Sequence, residues 1–262
     1  MRTLMVIPAR YASTRFPGKP LARLGGKAVL QWVWETVSQV AAESGAEAVV
    51  ATDDGRIAES AARGFGARVM LTSEACQSGT DRCGEVLQRM REEQGARFDT
   101  VVNVQGDEPF VEAEQLRTLM AAFAAPAVQI ATLRTPILTT EELLSPNNVK
   151  VVCAESGDAL YFSRQPLPYR RDAAAEQWLE LGRYYKHVGI YAYRAQTLEA
   201  LCQLPVGQLE ASERLEQLRW LAAGYAIRTL DTPHANIGID TPADLAAAES
   251  YLAAHPIHHF QA

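Results

Sequence analysis

A basic loop near the N-terminus is the first part of the chain whose residue types could do chemistry. The first 34 residues contain six basic residues and no acidic one. Arg10, Arg15, Lys19 and Lys27 lie with several glycines between a predicted strand and a predicted helix. Such a loop can wrap an anion with backbone N–H groups, cationic side chains and the N-terminus of the helix. The pattern favours polyphosphate binding over the alternative of a solvated loop that is merely basic.

The loop does not match the common phosphate-binding motifs. A Walker A motif that closes at Lys27 needs glycine at position 21, where the chain has Leu21. A dinucleotide-binding motif that starts at Gly64 needs a third glycine at position 69, where the chain has Val69. A dinucleotide-dependent oxidoreductase is therefore disfavoured, whereas a nucleotide-binding regulator without turnover stays open.

Two aspartates follow apolar runs at the points where strands are expected to end. Asp107 comes shortly after the run at 100–104, and Asp240 follows Ile239. Ligands of open α/β sheets bind beyond the carboxyl ends of the strands, and Mg²⁺ prefers oxygen ligands. A metal held by carboxylates beside a basic loop suits phosphoryl or nucleotidyl transfer. The alternatives are a turn residue before Pro109 for Asp107 and a helix-start residue for Asp240.

A third candidate is the polar segment Gln77–Arg82, which leads into a predicted helix. Its hydroxyl and amide groups could bind a base or a phosphate. Equally, Ser78 or Thr80 could be an ordinary N-cap of that helix.

The elements that must position these residues change in character along the chain. Up to about residue 104, short apolar strands alternate with helical patterns, which indicates βαβ units around a mostly parallel sheet. Beyond it, strands follow one another without helices between them, which predicts a mixed sheet or a partly antiparallel lobe. We expect an extended loop at 165–182 and a helix over 212–223 with Ser212 as N-cap. A final helix is expected after the N-cap Thr241.

Composition narrows the function classes. The chain has 262 residues, 48% of them hydrophobic, which is typical of a globular protein. Its net charge is −6 and its pI is near 5.5, so it has too little positive charge for binding nucleic acid or an anionic membrane surface. The apolar stretch 116–133 contains Arg117 and Pro126, so no membrane insertion is expected. Four scattered cysteines without a C-x-x-C pair indicate reduced thiols in a cytoplasmic protein.

Eight sequence blocks, in order along nearly the whole chain, resemble the 3-deoxy-manno-octulosonate (Kdo) cytidylyltransferase family, also called CMP-Kdo synthetases. The blocks are Pro8–Leu21, Ala51–Asp54, Gln77–Arg82, Val102–Pro109, Ala159–Arg164, His187–Tyr191, Leu215–Arg219 and Gly238–Pro242. The first block alone is also similar to the wider cytidylyltransferase class, including the enzymes that activate sialic acid.

The resemblance implies an enzyme that joins CTP and Kdo into CMP-Kdo and pyrophosphate, with Mg²⁺, in the cytoplasm, for lipopolysaccharide biosynthesis. It leaves open a related acidic sugar, 8-amino-Kdo or sialic acid. It also implies a homodimer and a nucleotide-diphospho-sugar-transferase-like α/β fold, in which a mixed, mostly parallel sheet is flanked by helices and joined by a smaller, partly antiparallel lobe. We expect a single catalytic domain over 1–262, with a nucleotide-binding half at about 1–125, a sugar-binding and dimerisation half at 126–235, and a return to the core and a C-terminal helix at 236–262.

The resemblance also implies roles for individual residues. The triphosphate-binding residues would be Arg10, Arg15 and Lys19. The metal ligands would be Asp107 and Asp240, and these two with Arg10 and Lys19 would carry catalysis. The cytidine side would consist of Ala9, Thr52, Gln77, Ser78, Gly79 and Thr80, with Asp107 beside the nucleotide. The sugar pocket would consist of Gln105, Arg164, His187, Tyr191, Glu216 and Gln217.

Overall fold

The structure, a computed structural model, describes residues 1–234 and 237–255. Part of the expected C-terminal segment, at 236 and 256–262, lies outside the described residues. Among the described residues, no helix has both the length and the apolar character needed to cross a membrane.

The strands are β1 (Thr3–Pro8), β2 (Arg23–Leu24), β3 (Lys27–Ala28), β4 (Glu47–Thr52), β5 (Val69–Leu71), β6 (Thr100–Asn103), β7 (Ile130–Pro136), β8 (Lys150–Cys153), β9 (Ala159–Ser163), β10 (Tyr185–Arg194) and β11 (Ile227–Asp231). The α-helices are α1 (Val29–Ser44), α2 (Gly55–Glu59), α3 (Gly79–Gln94), α4 (Ala113–Ala122), α5 (Thr140–Leu144), α6 (Trp178–Leu181), α7 (Ala195–Leu201), α8 (Gln208–Glu213), α9 (Gln217–Ala222) and α10 (Pro242–Ala254). Single turns of other helix types occur at Lys19–Leu21, Ser60–Gly64 and Ala175–Gln177.

The described chain divides into two compact units. Unit 1 contains residues 1, 99–102 and 114–234, and unit 2 contains residues 2–98, 103–113 and 237–255.

Unit 2 is built on parallel strands. β1 pairs with β4, and β4 pairs with β5, all in parallel. All six residues of β1 are buried, as expected for a short apolar strand covered on both faces. The helices α1 and α3 pack against these strands. The βαβ units predicted for the first part of the chain are therefore confirmed.

Unit 1 contains the mixed part of the fold. β7 lies between β11, which is parallel to it, and β10, which is antiparallel. β8 and β9 form an antiparallel pair that joins β10 through Lys150 and Lys186. The register of β10 on β7 shifts between Val188 and Tyr191, which marks a bulge. The predicted α/β class, with a mixed sheet flanked by helices, is confirmed.

Three predictions about the second half were wrong. The helix expected over 212–223 is two helices, because Arg214 adopts a left-handed conformation with φ 53° and ends α8. Ser212 lies inside α8 and is not an N-cap. The loop expected at 165–182 contains the short helix α6, whose Trp178 is buried in an apolar cluster with Tyr184.

Candidate active site

A cavity of about 200 Å³ lies in unit 2 at the carboxyl ends of its strands. Its lining includes nine of the residues singled out from the sequence: Ala9, Arg10, Lys19, Gln77, Ser78, Gly79, Gln105, Asp107 and Asp240.

The loop after β1 turns sharply so that Lys19 enters this cavity. Gly18 has φ 73°, and a side chain there would meet the ring of Tyr11 at 2.9 Å. Glycine is therefore required for both conformation and space. The following turn, Lys19–Leu21, has proline near its start and leaves Lys19 only 8% exposed.

The two aspartates are brought together by backbone contacts and by the apolar core. The N–H of Ile239 donates to the carbonyl of Asp107 at 2.9 Å, so the segments before Asp240 and around Asp107 lie side by side. Ile239 is fully buried with Leu24 and Val29 in one apolar cluster. This packing fixes Asp240 beside the basic loop.

Lys19 joins the two carboxylates. Its Nζ contacts Asp107 Oδ2 and lies 2.9 Å from Asp240 Oδ1. Burial opposes the charge on Lys19, but Asp107 and then Asp240 outweigh that cost and raise the pKa of its ammonium group above the ordinary value. The lysine is therefore cationic at neutral pH.

Asp240 has a second cationic partner, Arg15, whose Nη2 lies 2.9 Å from Oδ2. Burial would raise the pKa of Asp240, but Lys19 and Arg15 outweigh it and lower that pKa. Both oxygens of an ionised carboxylate are thus engaged in ion pairs.

The carboxylates of Asp107 and Asp240 are the hard oxygen donors that suit Mg²⁺. Among the described residues, no group of three or more His, Cys, Asp or Glu side chains could hold a metal. Two carboxylates can still form part of a Mg²⁺ site, because Mg²⁺ usually keeps several waters and takes further ligands from substrate phosphates.

The polar segment forms the N-terminus of α3. Ser78 is the N-cap: its Oγ accepts from the N–H of Asp81 at 3.1 Å, and Asp81 completes a capping box. The alternative cap, Thr80, is wrong. Ser78 and Gly79 also line the cavity, so the capping and the binding interpretations are compatible.

The wall on the Gln105 side is closely packed. A Cβ at Gly79 would lie 3.1 Å from Gln105 Nε2, and a Cβ at Gly106 would lie 2.9 Å from the carbonyl oxygen of Pro8. Only glycine allows these close approaches without displacing the neighbouring atoms. Gln105 is held by its Nε2, which donates to Asn103 Oδ1 at 3.1 Å.

Other predicted residues of unit 2 have different surroundings. Thr52 and Thr80 are buried, with 0% and 2% exposed, and the Oγ1 of Thr52 accepts from the N–H of Asp54. Lys27 was expected in the anion-binding loop, but its Nζ lies 2.7 Å from Glu35 and over the ring of Trp32. Lys27 belongs to the β2–β3 hairpin, whose turn directs its side chain to Glu35 of α1. Residue type alone does not reveal that direction.

Arg164 of unit 1 is held in place by backbone carbonyls. Its Nε donates to the carbonyl of Glu213 at 2.8 Å, and its Nη1 donates to that of Pro146 at 3.0 Å. The carboxylate of Glu213 binds the Arg164 backbone N–H and the hydroxyl of Ser163. Sequence reasoning missed Glu213, which lay inside the helix wrongly expected over 212–223.

His187 and Tyr191 lie together in unit 1. Their rings are 5.3 Å apart, and Phe162 packs edge-on against His187. Burial lowers the pKa of His187 to about 3, so the ring is neutral, and its Nε2 lies 3.0 Å from Thr132 Oγ1. Burial also raises the pKa of Tyr191 well above its ordinary value.

The remaining two predicted sugar-pocket residues flank the start of α9. Glu216 is its N-cap, with Oε1 at 3.4 Å from Arg219 Nη2. Gln217 is the first residue of the helix and is 5% exposed.

Comparison with known proteins gives consistent results. The family model for cytidylyltransferases matches residues 4–228. A 3-deoxy-manno-octulosonate cytidylyltransferase from Phocaeicola vulgatus is 50% identical over 255 residues, which cover 96% of this chain and 98% of that relative. One from Geobacter sulfurreducens is 48% identical, with coverage of 94% and 97%.

Solved structures are similar as well. A CMP:2-keto-3-deoxy-manno-octonic acid synthetase complexed with CTP matches with a TM-score of 0.85 and 42% identity, over 97% of this chain and 99% of that one. A 4-diphosphocytidyl-2C-methyl-D-erythritol synthase from Anaerococcus prevotii has a TM-score of 0.57 at 16% identity, with coverage of 96% and 98%, and so shares the fold.

Proposed function

Because the chain belongs to the cytidylyltransferase family, and within it to the 3-deoxy-manno-octulosonate cytidylyltransferases, we propose that it activates Kdo with CTP. The products are CMP-Kdo and pyrophosphate. The observation that carries the proposal is the meeting of a cationic lysine and two strand-end carboxylates in one cavity, where Lys19 contacts Asp107 and Asp240.

The basic residues of the first loop bind the triphosphate in this proposal. Lys19 and Arg10 line the cavity, and Arg15 reaches Asp240. The anomeric hydroxyl of the sugar attacks the α-phosphorus, and negative charge grows on the departing pyrophosphate. Cations fixed in advance near that charge stabilise the transition state without reorganising. The raised pKa of Lys19 keeps its ammonium group protonated for this task.

Asp107 and Asp240 hold Mg²⁺ in this proposal, since they supply hard oxygen ligands within one cavity. A bound Mg²⁺ would neutralise phosphate charge and orient the reacting oxygen atoms. The lowered pKa of Asp240 keeps that ligand ionised.

The start of α3 and the adjoining strand ends receive the cytidine. Gln77, Ser78 and Gly79 line the cavity with Ala9. Buried Thr52 and Thr80 support this side from beneath the surface.

The acidic sugar is bound by residues of unit 1 in this proposal. A guanidinium group can bind a carboxylate through two parallel hydrogen bonds. Arg164 is suited to this because its Nε and Nη1 donate to backbone carbonyl oxygens, which orient the side chain without cancelling its charge. The neutral ring of His187 can exchange hydrogen bonds with sugar hydroxyls, as can Tyr191, Glu216 and Gln217.

We further propose the cellular location, oligomeric state and biosynthetic role that the resemblance implies. The enzyme acts in the cytoplasm as a homodimer, and its product is used in lipopolysaccharide biosynthesis. Residues 1–262 act as one catalytic domain.

The test measures pyrophosphate release from CTP, UTP, ATP and GTP, each with Kdo, 8-amino-Kdo or sialic acid, with and without Mg²⁺. We expect release from CTP with Kdo and dependence on Mg²⁺. Faster release with 8-amino-Kdo or sialic acid would reassign the acceptor. Binding of CTP without any release would make the protein a regulator and refute the enzymatic proposal.

A variant pair tests the role of the carboxylates. We expect Asp107→Ala to lower kcat by about 10²-fold, the scale for loss of one preorganised electrostatic group. The control is Glu59→Ala, whose exposed carboxylate pairs with the exposed side chain of Arg63. Turnover of Asp107→Ala close to that of the control would refute the metal-binding role.

A further inference from the structure

Arg82 is a buried cation that joins three elements of unit 2. It lies in the first turn of α3 and is 3% exposed. Its Nη2 donates to Asp53 Oδ2 at 2.5 Å, just after β4. Its Nη1 donates to Thr72 Oγ1 at 2.5 Å and to the carbonyl of Ser73 at 3.4 Å, just after β5. One guanidinium group therefore ties two strand ends to the start of α3.

The segment between β5 and α3, residues 72–78, is attached to α3 by two further side chains. Asp81 Oδ2 accepts from the backbone N–H groups of Gln77 and Ser78, both at 3.0 Å. The carboxylate of Glu85 accepts from the N–H of Ser73 at 2.9 Å and from the thiol of Cys76 at 3.1 Å. Both ends of the 72–78 segment are thus fixed from the helix, and Arg82 adds the link to β4.

The same segment forms one wall of the cavity. Gln77 and Ser78 line it, and so does Arg82 itself. Arg82 is distinguished from the other two attachments by its buried charge, since its side chain is 4% exposed and that of Asp53 is 20% exposed. Loss of one partner leaves an uncompensated buried charge, which strongly disturbs its surroundings.

We infer that Arg82, held by Asp53, is a positioning residue that fixes the 72–78 segment for the pyrimidine base and thereby sets the preference for CTP over UTP. This inference rests on the proposed function. Cytosine and uracil differ in the donors and acceptors on one edge of the ring, and hydrogen bonds weaken steeply when their geometry is disturbed. A segment that reads this edge must therefore be rigid, and a misplacement of about 1 Å can cost about 10²-fold.

The test compares Arg82→Gln, Arg82→Lys and Asp53→Asn with the control Arg68→Gln. Arg68 precedes β5 and also joins a strand to α3: its Nη1 lies 2.6 Å from Glu47 Oε2 at the start of β4, and its Nη2 donates to Gln94 Oε1 at 2.7 Å at the end of α3. Among the described residues that line the cavity, Arg68 is absent. Removal of its charge therefore reproduces the loss of a strand-to-helix link without touching the 72–78 segment.

We expect Arg82→Gln to raise both KM and the calorimetric Kd for CTP about tenfold, with kcat at saturating CTP within about threefold of the wild type. The ratio of kcat/KM for CTP to that for UTP should fall about tenfold, because the segment no longer holds one geometry. Arg82→Lys keeps the positive charge but lacks the planar guanidinium group that binds two partners at once. It should therefore bind CTP more tightly than Arg82→Gln but less tightly than the wild type. Arg68→Gln should leave all of these values unchanged.

Equal behaviour of Arg82→Gln and Arg68→Gln would overturn the inference, as would an equal loss for CTP and UTP. If Arg82→Gln does not fold, Asp53→Asn decides, because it removes only the charge of the partner. Wild-type protein that binds CTP but releases no pyrophosphate would refute the proposed function, while the Kd values for CTP and UTP would still test the positioning role. Wild-type protein that binds neither nucleotide would refute both.

Discussion

Replacement of Lys19 by methionine tests the electrostatic reasoning most directly. The Nζ of Lys19 contacts Asp107 and lies 2.9 Å from Asp240, and its side chain is 10% exposed. Two unit charges about 4 Å apart attract by about 4 kcal/mol at an effective dielectric constant of 20. Much of this is offset by the desolvation of the ammonium group, which is the largest influence on its pKa. Since Asp107 and Asp240 are 28% and 51% exposed, we expect Lys19→Met to lower the free energy of unfolding by only about 1 kcal/mol.

The effect on catalysis should be much larger. The proposed task of Lys19 is to stabilise charge that grows on pyrophosphate, and loss of one such group costs about 10²- to 10³-fold in kcat/KM, or about 3 to 4 kcal/mol. Lys27→Met is the matched control, because Lys27 belongs to the same basic segment but pairs with Glu35. Pyrophosphate release at saturating Kdo gives kcat/KM for CTP, and urea denaturation gives the stability. A loss below about fivefold, or an equal loss in Lys27→Met, would refute the reasoning.

Three further predictions concern unfolding and thiol reactivity. Gly106→Ala should lower the free energy of unfolding by about 1 to 3 kcal/mol, because its Cβ would lie 2.9 Å from the Pro8 carbonyl oxygen. Gly55→Ala is the control, because a Cβ at Gly55 meets open space. Equal urea midpoints for the two variants would contradict this prediction. Burial lowers the pKa of His187 to about 3, so below about pH 6.5 the unfolded chain binds a proton that the native chain does not. The free energy of unfolding should therefore fall towards acid pH by up to about 1.4 kcal/mol per pH unit. In urea titrations at pH 7, 6 and 5, His187→Gln should show a smaller fall than the wild type. An unchanged slope in His187→Gln would count against the burial of this histidine. Burial and Glu85 raise the pKa of Cys76 to about 12, so its thiol stays protonated at pH 8. Iodoacetamide should therefore alkylate Cys76 about 10³-fold more slowly in the native protein than in urea, measured by peptide mass spectrometry. Comparable rates would be inconsistent with a protonated thiol.

The parts of the molecule that the sequence predicted well depend on local chemistry. Thr241 as N-cap with Pro242 at the first helical position is confirmed, because cap preference is decided within one turn of helix. The βαβ order of the first hundred residues is confirmed for the same reason, since short apolar strands and amphipathic helices differ in their period.

The break between α8 and α9 was missed because its cause is tertiary. Helical periodicity continues through Arg214, yet this residue adopts φ 53° and ends the first helix. The break leaves the carboxylate of Glu213 on the hydroxyl of Ser163 and the backbone of Arg164, which lie about fifty positions earlier in the chain. No local preference could reveal that pairing.

The basic loop shows where prediction from the sequence ends. Lys19 and Lys27 have the same charge and lie in one glycine-rich segment, so their residue types predict the same role. Gly18, with φ 73°, turns Lys19 towards the carboxylates. Gly25 and Gly26 both have positive φ, as a tight hairpin turn requires, and this hairpin directs Lys27 to Glu35 on α1. The backbone conformation of three glycines therefore decides which cation can act on a phosphate, and charge composition alone cannot make that choice.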